Sequence, residues 1–298
     1  MGGKQALFPT IIRRFPTGYQ NMVYVEVFGG GGSVLLNKER SVREVLNDAN
    51  GNLINLYRVV REHPDELKDR LLYVLHSRED FKIAQRRLAQ FSYKDDILRA
   101  ADFYQVVRQS YAGNGKQFCA VARSMWAGFP AIDRVAGRLQ GVTLEKEDFG
   151  VIFQRHDSPT TVFYIDPPYF FTEDYYPGNI FLRSDHQRLA AILLNAEGLW
   201  LQFTTTGYAD HYDAIKLAVI NRTDGVVDQQ LFRFSDIIGQ QAVRGRDPIN
   251  PHIWDYNGRL EWYRPISQEQ RSQIANTILD YVGMYQEETE ENDFTMKL

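Results

Sequence analysis

Cysteine is nearly absent: Cys119 stands alone in 298 residues. That excludes an internal disulfide and any metal site built on clustered thiolates. The six histidines are scattered, with no HExxH-type pair, so a histidine-held zinc has no support either. No apolar run reaches the roughly 18 residues that a membrane span needs. The opening MGGKQALFPTIIRRFP lacks the charged-then-apolar order of a secretory signal. Internal repeats and low-complexity linkers are missing as well. These absences lead to the expectation of a cytoplasmic protein with no bound metal and no membrane association.

What is present is ordinary for a globular chain: 44% hydrophobic and 24% charged residues, with a net charge of −4. The charge is uneven. Residues 78–138 carry eleven Lys/Arg against six Asp/Glu, a local net of +5, and the tail from Glu287 to Leu298 holds five acids and one lysine. A basic middle in an acidic chain suits local binding of a polyanion.

The apolar pattern predicts a helix over 4–15, with Leu7, Ile11 and Ile12 on one face. A strand follows at 23–28, then Gly29-Gly30-Gly31-Gly32, a helix opening over 33–37, and a short strand at 42–46 ending in Asn47-Asp48. LINLYRVVREH continues as a helix. This strand, glycine turn, helix, strand order is the grammar of a doubly wound parallel sheet. Residues 64–138 are richer in helical patterns and charge and read as an inserted helical lobe. The outer segments, 1–63 and 139–298, then form one domain. The βα pattern resumes with strands at 141–144, 161–165 and 199–204. A helix opens at Ser184-Asp185, with Ser184 as N-cap and Asp185 in the first turn. IWDYNGRLEWY (253–263) predicts a hairpin around Asn257-Gly258, and a last helix spans about 267–285.

Two features carry chemistry. FGGGG sits where a strand meets a helix, at the end of the sheet where open α/β proteins bind ligands. Its glycines allow close approach and leave N–H groups free, although it matches neither GxGxxG nor a P-loop. Asp48, at the end of the next strand, is placed to accept hydrogen bonds from a ribose diol. The second feature is FYIDPPYF (163–170). A strand ends in Asp166, Pro167 and Pro168 stiffen the turn and remove two donors, and Tyr169 follows. The carboxylate, two carbonyls and a flat ring suit a planar heterocycle bearing an amino group.

FGGGG, NDANGNLINLY, a basic insertion and DPPY, in that order, resemble the adenine-specific DNA amino-methyltransferases. Gly2-Gly3-Lys4 is similar to that family's N-terminal GGK, and RVAGRLQGVTLEKEDF to its segment leading to an Asp-Phe pair. The resemblance covers residues 2–195. Val27 stands where the family commonly has proline, and LQFTTTGYADHY differs from its serine-rich strand end. The resemblance implies an α/β, Rossmann-like S-adenosylmethionine-dependent methyltransferase fold, with 64–138 as a mainly helical DNA-recognition lobe. It implies a cofactor site of Gly3, Lys4, Phe28, Gly29, Gly30, Gly31, Asp48, Asp148, Phe149 and Asp166. In it the glycines border the methionine part, Lys4 lies near the carboxylate, Asp48 takes the ribose, and Asp148 and Phe149 hold the adenine. The catalytic set is Asp166, Pro167, Pro168 and Tyr169, without a metal.

In the implied reaction, the Asp166 carboxylate and the Pro167 carbonyl accept hydrogen bonds from the target amino group. This favours a pyramidal nitrogen with a freed lone pair, and Tyr169 stacks on a flipped base. The partner is double-stranded DNA. Arg108, Tyr111, Asn114, Lys116, Arg123 and, at the predicted hairpin, Arg259 are of the types that contact phosphates and base edges. A restriction endonuclease is a compatible second partner. Two alternatives stay open from the sequence: amino-methylation of cytosine, and a catalytically inactive DNA-binding remnant.

Overall fold

The computed structural model describes residues 11–13, 15–90, 93–168, 181–205, 215–221, 226–233 and 264–265. By its contacts the chain divides into two compact units, Met1–Arg13 with Glu26–Asp148 and Arg14–Val25 with Phe149–Leu298. The first strand, β1 (Val23–Glu26), crosses the boundary.

In the first unit, β2 (Arg43–Asn47) pairs in parallel with β3 (Val142–Glu145), Glu44 opposite Val142 and Asn47 opposite Glu145. Between them run five helices: α1 (Gly51–Glu62), α2 (Pro64–Leu72), α3 (Arg78–Gln90), α4 (Asp96–Gln109) and α5 (Phe129–Leu139). Asn50 starts α1 by accepting the N–H groups of Asn52 and Leu53, and Asp95 does the same for Ile97 and Leu98 at α4. Proline in the first turn pre-sets the start of α2 and of α5. Four of these helices share one apolar cluster: Val59 and Val60 from α1, Leu67 and Leu71 from α2, Ala100 and Ala101 from α4, Ile132 and Ala136 from α5. Small residues on α4 let the backbones approach closely. Helices α2, α4 and α5 therefore bury apolar residues against α1.

One buried ionic knot ties this unit together. Glu44, at the start of β2, accepts Arg138 of α5 through two hydrogen bonds of 2.6 and 2.8 Å and also the Lys38 ammonium. Burial alone would raise the Glu44 pKa, but the bonds from Arg138 and Lys38 hold it below the ordinary carboxylate range. Arg40 reaches the last carbonyls of α5, at Gly137 and Gln140.

In the second unit, α6 (Phe149–His156) leads to β4 (Thr161–Ile165), all five of whose residues are buried. Helix α7 (Arg183–Asn195) returns to β5 (Leu199–Thr205), parallel to β4, with Phe163 opposite Trp200. The Asp157 carboxylate accepts the N–H groups of Glu197 and Gly198, at 3.0 and 2.8 Å, and so fixes the entry to β5. Gly198 has no room for a side chain: a Cβ there would meet the Phe163 ring and the Thr161 carbonyl. Strands β6 (Ile215–Asn221), β7 (Val226–Arg233) and β8 (Arg264–Pro265) continue antiparallel. The fold is mixed α/β, with parallel strands followed by antiparallel ones.

Most expected elements appear within a residue or two, and two differ. Residues 33–37 form tight turns rather than a helix. Glu26 takes the Leu35 N–H at 2.9 Å, and the chain bends toward Lys38 before a second helical turn can close. Helix α7 begins at Arg183, so Ser184 lies inside it, and Asp185 performs the capping by accepting the Leu182 N–H at 2.7 Å. Residues 4–10, the hairpin 253–263 and the helix 267–285 lie outside the described residues.

Candidate functional site

The glycine turn is built by hydrogen bonds within the first unit. Gly29 donates to the Asn47 carbonyl at 2.7 Å, which seats the turn against the end of β2. A Cβ on Gly29 would lie 2.9 Å from that carbonyl oxygen and 2.8 Å from Leu46, so glycine is required by close approach. Gly30 and Gly32 have φ of +47° and +63°, a region that L side chains rarely enter. The Gly30 N–H donates to Asp48 Oδ2 at 2.8 Å and its carbonyl accepts the Tyr57 hydroxyl at 2.7 Å.

Asp48 is half-buried and serves two backbone donors, Gly30 through Oδ2 and Asn50 through Oδ1, both at 2.8 Å. Burial pushes its pKa up, and those two N–H bonds partly offset the shift. Each carboxylate oxygen has a second lone pair, so acceptor capacity remains for a diol. The neighbouring Asn47, buried, is a brace that sequence reasoning missed. Its amide donates to the carbonyls of Val27 and Glu147, and its oxygen accepts the Glu147 N–H at 2.8 Å. It thereby fixes the chain on both sides of the site, before Phe28 and before Asp148. Phe28 is half-exposed and Asp148 exposed. The structure thus brings Phe28, Gly29, Gly30, Gly31, Asp48 and Asp148 to one region, at the carboxyl ends of β2 and β3.

In the second unit, the buried β4 delivers Asp166 at its carboxyl end. Asp166 is half-buried, whereas Pro167 and Pro168 are buried. Phe149 opens α6 and is also buried, with the Arg188 guanidinium 3.9 Å from its ring centre and Phe181 5.7 Å away, edge tilted. Arg188 is held by Asp185 one helical turn earlier, at 3.0 Å. Neither Arg188 nor Phe181 was singled out from sequence; the Asp185–Arg188 spacing on one helix was the available signal. Gly3, Lys4, Tyr169 and Arg259 lie outside the described residues.

The basic segment 108–123 forms an ordered loop. Ser110 bridges Phe118 in antiparallel fashion, and Asn114 accepts the N–H groups of Lys116 and Gln117. The Phe118 ring is the anchor, packed against His76 at 4.7 Å and Phe81 at 5.5 Å. Arg108 donates to the Ser124 carbonyl, and Asn114 shapes the loop. Tyr111, Lys116 and Arg123 are exposed. Around them the surface is unexpectedly apolar, with Tyr73 80%, Leu75 69%, Val121 70% and Trp126 60% exposed. Trp126 is pinned by its indole N–H to the Leu72 carbonyl, and Gln109 holds the Leu75 carbonyl. Among the described residues no group of three His, Cys, Asp or Glu could hold a metal ion, and no helix is long and apolar enough to cross a membrane.

A glycine turn, an acid ending the next strand and an α/β frame are the layout with which open α/β proteins bind nucleotide-like ligands. Comparison with known families then places the chain. It belongs to the D12 class N6 adenine-specific DNA methyltransferase family, whose model matches residues 1–198. A DNA adenine methylase of Escherichia coli (strain K12) is 32% identical over 185 residues, 56% of this chain and 62% of that protein. A DNA adenine methylase of Salmonella typhi matches to the same extent. A Type II methyltransferase of Lactococcus lactis subsp. cremoris is 30% identical over 118 residues, 38% of this chain and 40% of its own length. The chain spans about three fifths of the length of the DNA adenine methylases it matches.

Proposed function

We propose that this chain transfers a methyl group from S-adenosylmethionine to the exocyclic amino nitrogen of adenine in double-stranded DNA, at a specific sequence. The observation that carries the reading is the order of parts inside the family-matched residues 1–198: glycine turn, strand-ending Asp48, basic helical region, then a buried strand ending in Asp166-Pro167-Pro168-Tyr169. The glycine turn fits a bulky nucleoside-bearing donor. A Cβ at Gly30 would meet no atom within 4 Å, so space lies beside the backbone.

When bound, S-adenosylmethionine supplies an electrophilic methyl on a sulfonium. Asp48 holds the ribose hydroxyls and Asp148 the amino group of the cofactor adenine. Phe149 borders the adenine of the cofactor. Asp166 and the Pro167 carbonyl accept the two N–H bonds of the target amino group, which stabilises the positive charge developing on nitrogen. With the donor bound, the nitrogen lone pair would form the new C–N bond as the C–S bond broke with its pair going to sulfur, and the nitrogen would then release one proton to water. Extruding the base costs a few kcal/mol, and stacking on Tyr169 returns roughly 1–3 kcal/mol. Residues 64–138 read the DNA, with Lys116 and Arg123 on phosphates and Tyr111 toward the bases. A paired restriction endonuclease is compatible with the similarity to a Type II methyltransferase.

The test is methyl transfer to an unmethylated duplex by wild type and Asp166→Ala. Removing one such acceptor lowers the turnover by about 10²-fold or more. Wild-type turnover in Asp166→Ala would refute the assignment.

A further inference from the structure

The Gly30 peptide is gripped from both ends by one closed ring of hydrogen bonds. Asp48 takes its N–H at 2.8 Å, Asp48 is aligned by the Asn50 N–H, Asn50 caps α1, and two turns along α1 the Tyr57 hydroxyl returns to the Gly30 carbonyl at 2.7 Å. Tyr57 is buried, 7% exposed, and its hydroxyl oxygen would lie 3.1 Å from a Cβ on Gly32, so it fits the inner face of the turn. Burial, with the nearby Glu26 and Asp48 carboxylates, pushes its pKa well above the ordinary tyrosine range, so it remains a donor.

The described peptides include no cis bond. In a trans peptide the C=O and the following N–H point in opposite directions. With the Gly30 carbonyl turned inward to Tyr57, the Gly31 N–H must point outward. Gly31 is exposed, and its N–H donates to no group among the described residues. A bare backbone donor in a turn of positive-φ glycines is an anion-seeking arrangement. We propose that Tyr57 is a positioning residue for the methyl donor: it turns the Gly30–Gly31 peptide so that the Gly31 N–H meets the donor's amino-acid carboxylate. This rests on the chain being an S-adenosylmethionine-dependent enzyme.

The test compares two ligands on the full chain by calorimetry: S-adenosylmethionine, and its decarboxylated analogue, which keeps the sulfonium, the adenosine and the amine. Tyr57→Phe retains the buried ring, and its melting temperature should stay within about 4 °C of wild type, the shift expected for one lost hydrogen bond. The variant should bind S-adenosylmethionine about tenfold more weakly, the loss expected for one hydrogen bond to a charged group. It should bind the decarboxylated analogue within about twofold of wild type, because that ligand never used the bond. In turnover, KM for the donor rises while kcat at saturation holds. Equal weakening of both ligands, or of neither, overturns the positioning role while leaving the methyltransferase reading intact. A wild type that binds neither ligand overturns that reading and this proposal together.

Discussion

Replacing Arg138 by methionine tests the buried knot that joins α5 to β2. The side chains of Arg138 and Glu44 are 13% and 3% exposed, and two hydrogen bonds of 2.6 and 2.8 Å join them. Removing one partner of a buried ion pair typically costs about 3–5 kcal/mol, because the survivor keeps its desolvation penalty. Here Lys38 still reaches Glu44 Oε1 and methionine keeps much of the arginine stem's packing, so the low end, about 3 kcal/mol, applies. For a chain of this size that corresponds to a fall in melting temperature of roughly 6–12 °C. Urea unfolding followed by circular dichroism measures it. The sign with pH is also fixed. The folded-state pKa of Glu44 is depressed, so its contribution is complete above the ordinary carboxyl value of 4.5 and is lost as pH falls through the lower folded value. In Arg138→Met that folded value moves back up, and acid loss begins at higher pH. A change below about 1 kcal/mol, with an unshifted acid limb, would refute the reasoning, since an exposed pair behaves that way.

Gly29→Ala places a methyl group against the Asn47 carbonyl, which cannot move without disturbing β2. Cofactor affinity should fall at least about tenfold, with the overpacking cost of roughly 1–3 kcal/mol visible in a melt; unchanged affinity would contradict the seating of the turn. Asp48→Asn puts an amide donor before one of the two N–H groups now at 2.8 Å. Its expected weakening of S-adenosylmethionine binding is about tenfold to a hundredfold, measured by calorimetry. Lys116→Ala with Arg123→Ala should lower DNA affinity and reduce the slope of log affinity against log salt by about 0.9 per residue, read by fluorescence anisotropy. An unchanged slope would remove both from the phosphate contacts.

The sequence exposed those parts of the fold whose cause is local. Thr161–Ile165 is an apolar run that the structure buries on every residue, and the apolar spacing of LINLYRVVREH announces α1. The glycine turn and Asp48 were legible because φ and close approach restrict the residue type. The braces around them were hidden, because they depend on register between distant segments. Asn47 meets Glu147 across a hundred positions, and Glu44 meets Arg138 across ninety-four. The helix expected at 33–37 failed because Glu26 and Lys38 redirect a segment too short to propagate. The bond from Arg108 to the Ser124 carbonyl was hidden as the braces were, since it joins residues sixteen apart. The exposed Tyr73, Leu75 and Trp126 carry no charge signal and surface only when the loop folds.

The central claim is adenine methylation, and the direct measurement is label transfer. The chain is incubated with unmethylated genomic DNA and S-adenosylmethionine carrying a tritiated methyl group, and the DNA is digested to nucleosides. The account predicts label in N6-methyldeoxyadenosine; label in a methylated deoxycytidine, or none in DNA under conditions where the cofactor binds, would contradict it.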